Sequence, residues 1–278
     1  MRAAMLGAWV LAGCIGLGVG VAGAAAPSTP EAGPGQVMDD LRRAYEALDS
    51  RDFEGAAKLY REVGETAESD ELRYAAALGL GSALVALGRT NEAATAFERA
   101  VALRPADPAA LLNLGEAYRD LGRDEEAVTT LGRAVAANPD LVEAYLALTV
   151  VLSRLGRLEA AGKAAAKAVR LEPKNPRTHL SLAVTLYHGK FYEQAARAFE
   201  RALQLEPGNP GAHYGLGLCR LYLEDLEAAK AQLALLEPLD PALAKDLKDR
   251  IFEKPKESVT PGTDAGEVGE PPTATPPP

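Results

Sequence analysis

A fixed spacing of alanines constrains this sequence more than any other feature. The same residue returns every 34 positions, at Ala93, Ala127, Ala161, Ala195 and Ala229. Twelve positions after each of them comes a proline, at Pro105, Pro139, Pro173, Pro207 and Pro241. A period of roughly 20 to 50 residues is typical of a chain made of stacked copies of one small unit. Such a unit cannot bury its apolar face alone, so its neighbours must supply the core.

The composition of these units favours helices. Alanine and leucine dominate the apolar residues and aromatic residues make up only 5% of the chain, which suits helices that pack through small side chains rather than β-sheets. The turns inside the units carry Leu-Gly-Arg at 87–89, 121–123 and 155–157, where a helix C-cap needs the positive φ that glycine provides. We expect Gly189 to serve the same purpose one position early. The prolines then end each second helix and open the next unit.

One unit displays the repeated pattern almost whole. Its defining residues are Leu111, Leu114, Gly115, Tyr118, Ala127, Leu131, Ala134 and Pro139. This pattern resembles the tetratricopeptide repeat, in which a helix, a tight turn and a second antiparallel helix occupy 34 residues. Five such units run from Tyr74 to about Leu243, and a more divergent one begins near Val37. The resemblance implies an all-α fold, a right-handed α-solenoid (superhelix) of about six repeats.

The repeats set the expected boundaries of the domain. It spans 37–253, with repeats at about 37–70, 74–107, 108–141, 142–175, 176–209 and 210–243. The step from Ala56 to Ala93 is 37 residues, so an insertion of three residues is predicted near Glu65 to Glu71. A C-terminal capping helix is predicted at 242–252 from apolar residues at helical spacing, namely Leu243, Leu247, Ile251 and Phe252. Residues 254–278 are rich in Pro, Gly, Thr and Glu, and we expect a disordered tail there.

The amino-terminal segment predicts export. A single Arg2 precedes an uncharged, apolar run through residue 26, as in a secretory signal peptide, and small residues suited to cleavage occur at 22–24 and 24–26. Two alternatives stay open. Residues 11–14 (Leu-Ala-Gly-Cys) resemble the lipobox of bacterial lipoproteins, which would make Cys14 the lipidated first residue of the mature chain. About 20 apolar residues also suffice for an uncleaved membrane anchor. Residues 27–36 are expected to form a flexible linker, and the expected location is the periplasm or cell envelope.

The resemblance also implies where a partner would bind. In tetratricopeptide arrays the first helix of each unit lines the concave face through its second, fifth, ninth and twelfth positions, and these positions are carried over one by one. With Arg154 beside them, the predicted groove residues are Leu112, Glu116, Arg119, Leu146, Val150, Arg154, Arg177, Leu180, Val184, Tyr187, Tyr214, Leu218 and Leu221. Exposed apolar patches commonly mark interaction sites, and tyrosine and arginine are frequent binding anchors. The competing interpretation is that these apolar side chains pack against the capping helix or within the stack.

Other classes of function lack their residues in this sequence. The net charge of −9, with no basic cluster, argues against nucleic acid as a partner. No His or Cys pair has zinc spacing, no phosphate loop occurs and no serine stands in a nucleophile elbow, so we expect no metal, no cofactor and no catalysis. His179 and His213 share one repeat position and are interpreted as core residues. The clamp for carboxylates found in chaperone-binding repeats lacks its lysines here, and Asn113 is the one groove asparagine.

The sequence therefore predicts a protein-protein interaction adaptor of the bacterial cell envelope that holds a peptide or helix of a protein partner in its concave groove. One alternative is a lipid-anchored assembly factor for a pilus, secretion or outer-membrane complex. Another is a non-catalytic subunit of an enzyme complex. The acylation state of Cys14 distinguishes the lipid-anchored factor from the others.

Overall fold

The computed structural model describes residues 35–252, and within that range the chain is all-α, with 13 helices and no strand. The helices are α1 (Gly35–Asp49), α2 (Phe53–Thr66), α3 (Asp70–Ala86), α4 (Thr90–Leu103), α5 (Pro108–Asp120), α6 (Asp124–Ala137), α7 (Val142–Arg154), α8 (Leu158–Leu171), α9 (Pro176–His188), α10 (Tyr192–Leu205), α11 (Pro210–Tyr222), α12 (Leu226–Leu236) and α13 (Pro241–Phe252). They form six consecutive pairs followed by a single helix, so the predicted all-α helical-repeat fold is confirmed. The predicted signal segment, most of the linker, and the tail lie outside the described residues.

Two compact units make up the described chain, residues 35–155 and residues 156–252. In the first unit each of α1 to α6 packs against the next helix along the chain, and α1 also contacts α3, as α5 contacts α7. In the second unit the same holds from α8 to α12, α9 also contacts α11, and α13 packs against both α11 and α12. Contacts restricted to the next helix and the next but one are those expected of stacked helical hairpins.

Small residues at the repeat period let the helices approach closely. The five alanines that define the period are all at 0% exposure. Glycines of the first helices lie against large side chains, and a methyl group added to Gly115 would stand 2.5 Å from Leu131. One added to Gly215 would stand 2.2 Å from the ring of Phe199. Optimal separations between carbon atoms are about 3.5 to 4.0 Å, so neither position has room for a side chain.

The tight turns inside the pairs repeat one backbone conformation. Among the described residues, those with a positive φ are Arg51, Gly88, Gly122, Gly156, Lys190 and Glu224. The prediction is therefore confirmed for the three Leu-Gly-Arg turns and wrong for Gly189. The φ of Gly189 is −75°, and its neighbour Lys190 takes the left-handed conformation with φ of 65°. The left-handed residue keeps the 34-residue register because the geometry of the turn fixes its position, whichever residue stands there.

Prolines punctuate the units as predicted, with one exception. Four of them lie in the loop after a second helix, namely Pro105, Pro139, Pro173 and Pro207. Three of the first helices that follow are preceded by an N-cap residue, namely Asp107, Asn175 and Asn209. The side-chain oxygen of each accepts a hydrogen bond from a backbone N–H of the first turn. Pro241 differs, because it is the first residue of α13, where its fixed φ suits the start of a helix.

The step from Ala56 to Ala93 is three residues longer than the 34-residue period, and the additional residues lengthen helix α3. α3 has 17 residues, whereas α5, α7, α9 and α11 have 13 each. The side chain of Ser69 accepts a hydrogen bond from the backbone of Leu72 and so caps the longer helix. The insertion predicted near Glu65 to Glu71 thus takes the form of an additional amino-terminal turn of α3, at 70–73, whose fourth residue comes from a loop that is one residue shorter than the loop before α5.

Candidate partner-binding face

The predicted groove residues lie on first helices, and in the unit 35–155 part of that surface is accessible. We call the following residues the first-helix face: Ala75, Leu78, Ser82, Val85, Ala109, Leu112, Glu116, Arg119, Glu143, Leu146, Val150 and Ser153. Leu112 and Leu146 are buried, at 5% and 9% exposure. Val85 is 37% exposed, and Glu116, Arg119 and Val150 are partly exposed. The face has a buried apolar floor with polar and apolar side chains that solvent can reach.

The arginines beside this face already have partners within the chain. Arg119 lies 3.6 Å from the carboxylate of Glu116 and 2.9 Å from that of Asp120. Arg154 donates from Nε to Asp124 at 2.7 Å, makes a second, shorter contact with the same carboxylate, and donates to the backbone oxygen of Arg119 at 2.8 Å. An acidic group of a partner would therefore have to compete with these carboxylates, of which Asp120 is exposed, Glu116 is partly exposed and Asp124 is largely buried.

In the unit 156–252 the expectation of an exposed apolar patch is wrong. Leu180 and Val184 belong to a buried cluster around Phe199, at 3% and 8% exposure. Tyr214, Leu218 and Leu221 lie with Leu247 and Ile251 of α13 in a second buried cluster, and Leu218 has 0% exposure. The interpretation that these side chains pack against the capping helix is the one that the structure supports. A charge at Leu218 would disrupt this core before it tested any binding.

Polar contacts hold α13 in place over this cluster. The hydroxyl of Tyr214 donates to the carboxylate of Asp246, and Nε of Arg250 donates to the same carboxylate at 2.6 Å. Burial disfavours the charged form of Asp246, but the two donated hydrogen bonds outweigh it and hold its pKa below the usual value. Of the four residues that predicted this helix, Phe252 is not part of the core, since it is 67% exposed.

Three tyrosines meet at the turn of the fifth pair. Tyr187, a predicted groove residue, is partly buried, and its ring lies edge-on to Tyr192 at 5.8 Å between centroids. Tyr192 stacks on Tyr222 at 4.7 Å with an interplanar angle of 6°. Burial raises the pKa of Tyr187 and lowers that of His188 beside it. Sequence reasoning missed Tyr192 and Tyr222, although Tyr187 and Tyr222 stand one period plus one residue apart.

The two histidines at equivalent repeat positions are core residues, as predicted. His179 is 9% exposed and its Nε2 lies 2.9 Å from the backbone oxygen of Pro173. His213 is 7% exposed, with Nε2 2.9 Å from the backbone oxygen of Pro207 and Nδ1 2.8 Å from Gln232. Each histidine ties a first helix to the proline loop that precedes it.

The described residues do not meet the requirements of a reactive thiol, a metal site or a membrane-spanning helix. Cys219 is buried and unpaired, and burial raises its pKa to about 12, so the reactive thiolate is disfavoured. Across 35–252, no group of three or more His, Cys, Asp or Glu side chains is arranged to hold a metal ion. No helix in that stretch has the length and apolar character needed to cross a membrane.

Comparison with known proteins relates this arrangement to one family. Family profiles described as tetratricopeptide repeat match residues 78–142, 125–176 and 189–251, which together exceed half of the chain. Among curated proteins, none is significantly similar in sequence.

Many solved structures share the fold. A tetratricopeptide repeat protein from Parabacteroides merdae is 19% identical with a TM-score of 0.68, and the match covers 78% of this chain and 86% of that one. TTC0263 of Thermus thermophilus, described as a thermophilic TPR protein, is 29% identical with a TM-score of 0.51, covering 65% and 97%. YrrB, described as a TPR protein with an unusual peptide-binding site, is 20% identical with a TM-score of 0.56, covering 68% and 96%.

Proposed function

We propose, from the premise that this chain belongs to the tetratricopeptide repeat family, that it is a protein-protein interaction scaffold of the bacterial cell envelope. Its partner presents a peptide or a helix to the first-helix face. The observation that carries this proposal is the accessibility of that face in the unit 35–155. There the side chains of α3, α5 and α7 reach solvent, whereas the corresponding positions of α11 are covered by α13.

The chemistry of the face suits a segment with mixed polarity. Leu78 and Val85 offer apolar contact on α3, and Val150 does so on α7, while Glu116 and Arg119 lie between them on α5. Apolar side chains supply burial, and the charged pair can re-form with groups of a partner and so select its register. YrrB is described as having a peptide-binding site, which supports a peptide partner for a chain with the same fold.

Site-specific photocrosslinking in cells tests the face directly. A photoreactive residue at Val85 or Val150 is expected to form an adduct with a partner protein. The matched control is Ala136, which is exposed on the second helix α6. Val150→Arg should abolish the adduct formed from Val85, and Ala136→Arg should not. Adducts of equal yield from Ala136, or an adduct from Val85 that survives Val150→Arg, would place binding elsewhere.

The envelope location rests on the sequence of the first 26 residues and has its own test. Intact mass spectrometry of the purified mature protein is expected to show cleavage after Ala24 or Ala26. The second candidate function, a lipid-anchored assembly factor, is favoured by the Leu-Ala-Gly-Cys sequence ending at Cys14. It requires a mature chain that begins with an acylated Cys14 and a loss of membrane attachment in Cys14→Ser. A protein that retains Met1 and fractionates with the cytosol would contradict both.

A further inference from the structure

A cleft of about 330 Å³ opens between α2, α3 and α4. Its walls are Tyr60, Arg61, Gly64, Glu65, Arg73, Ala76, Ala77, Leu80, Ala96, Arg99, Ala102 and Leu103, and none of these belongs to the first-helix face. Small-molecule sites in proteins are typically clefts of about 300 to 1,000 Å³ with mostly apolar walls and a few polar groups. This cleft has both the size and the lining of such a site.

A glycine keeps the cleft open. Gly64 occupies a position of the second helix that is filled in the next four pairs by Val101, Val135, Val169 and Leu203. A methyl group added to Gly64 would meet only the side chain of Ala76, at 3.8 Å, so the space for a larger residue exists and is left empty. Glycine inside a helix destabilises it relative to residues with a side chain. The first pair therefore departs from the repeat at a position where filling the gap would favour folding.

The extra turn of α3 brings positive charge to the rim. Arg73 belongs to that turn, and it is held there because its Nε donates to the backbone oxygen of Ala67 at 3.0 Å and its Nη1 to Asp70 at 3.1 Å. One repeat later, Arg133 donates to the backbone oxygen of Pro105 at 2.8 Å. Its counterpart Arg99 forms no hydrogen bond to the residues described.

Charge and shape together define the ligand. Three arginines, Arg61, Arg73 and Arg99, line the cleft with one carboxylate, Glu65, on a chain whose net charge is −9. Even with Asp70 paired to Arg73, positive charges outnumber negative ones here. A local excess of positive charge on an acidic protein attracts an anion, and arginine pairs well with carboxylates. Glu65 repels a second negative charge, which favours a monoanion over a phosphate dianion. The apolar walls require an apolar body behind the charge.

We propose that this cleft binds a small amphiphilic carboxylate, with the anionic end among Arg61, Arg73 and Arg99 and the apolar body against Tyr60, Leu80 and Leu103. Two sources offer this chemistry, namely a free carboxylic acid with a hydrocarbon body and the carboxyl-terminal residue of a polypeptide with an apolar side chain. The contacts are the same in both cases. The site is independent of partner binding on the first-helix face.

Calorimetric titration of the full chain with octanoate tests the proposal, and octanol serves as the uncharged control ligand. Octanoate is expected to bind at least ten times more tightly than octanol. Arg99→Gln should weaken octanoate binding about tenfold, because a hydrogen bond to a charged group is lost. Gly64→Val should fill the cleft and abolish binding while leaving the melting temperature unchanged or higher. The matched control is Gly132→Val in α6, where an added methyl group meets no atom within 4 Å, and it should leave binding unchanged.

Three results would overturn the proposal: equal affinity for octanoate and octanol, undiminished binding by Gly64→Val, or no binding of octanoate up to about 10 mM. A competition experiment identifies the source. If a short peptide that ends in leucine with a free carboxylate displaces octanoate and its carboxamide does not, the ligand is the end of a polypeptide. If neither peptide displaces octanoate, the ligand is a free carboxylate.

Discussion

Replacing the non-glycine residues in left-handed turns with glycine is expected to stabilise the protein. Lys190 and Glu224 have φ of 65° and 61°, and their exposed side chains make no hydrogen bond in the described structure. The left-handed conformation costs an L-residue about 1 to 2 kcal/mol, which glycine avoids. Against this, glycine gives the unfolded chain about 0.4 to 1 kcal/mol of additional conformational entropy. The net gain in the free energy of unfolding is about 0.5 to 1 kcal/mol for Lys190→Gly and for Glu224→Gly.

Thermal unfolding followed by far-ultraviolet circular dichroism measures this gain. For a chain of this size, 1 kcal/mol shifts Tm by about 2 to 4 °C, so each variant should melt about 2 °C higher. Gly122→Ala should melt lower by a similar amount, because φ there is 73°. No atom lies close enough to clash with the new methyl group, so this loss measures the backbone strain alone. The matched control is Lys248→Gly, since Lys248 is exposed within the regular helix α13, and it should lower Tm. If Lys190→Gly lowered Tm as Lys248→Gly does, the turn would not be strained and the reasoning would fail.

Three further predictions concern the capping helix and the stack. Leu247→Ala removes a side chain with 0% exposure and should cost about 2 to 5 kcal/mol in denaturant unfolding, whereas Phe252→Ala should change stability by less than about 0.5 kcal/mol. Tyr214→Phe should destabilise the protein at neutral pH through the lost bond to Asp246. The pKa of Asp246 is lower in the folded protein than in the unfolded chain. The stability that this carboxylate contributes is therefore present above its unfolded pKa and is lost as pH falls through the folded pKa. The Tm difference between Tyr214→Phe and wild type should accordingly shrink in acid. Ser153→Ala should raise Tm, because the buried hydroxyl of Ser153 has no hydrogen-bond partner in the described structure.

Much of the fold was predictable because its determinants are local and repeated. A buried alanine every 34 residues, a glycine at the tight turn and a proline after the second helix each act through contacts within one pair or between neighbours. Their spacing alone therefore places the helices. The error at Gly189 shows the limit of reasoning by residue type, since Lys190 accepts the left-handed conformation when the turn requires it.

The binding face was less predictable because exposure depends on what lies on top of a residue. The period places a seventh first helix at residue 244, but α13 begins at Pro241 and packs on α11 and α12. It covers Tyr214, Leu218 and Leu221. Two of these, Leu218 and Leu221, have the same repeat positions as accessible residues of earlier pairs, namely Val150 and Val85. Nothing in the sequence next to these residues indicates that another helix covers them.

By itself the sequence determined the helical pairs, their turns and the residues between them that must be small, because each of these is dictated by sterics within about 34 residues of chain. Only the tertiary structure decided which apolar side chains remain accessible, and that Gly64 and the additional turn of α3 leave an arginine-rimmed cleft. The reason is that burial and cavities are properties of several helices at once. Residues at the same repeat position can therefore be buried in one pair and accessible in another, depending on which helices surround them.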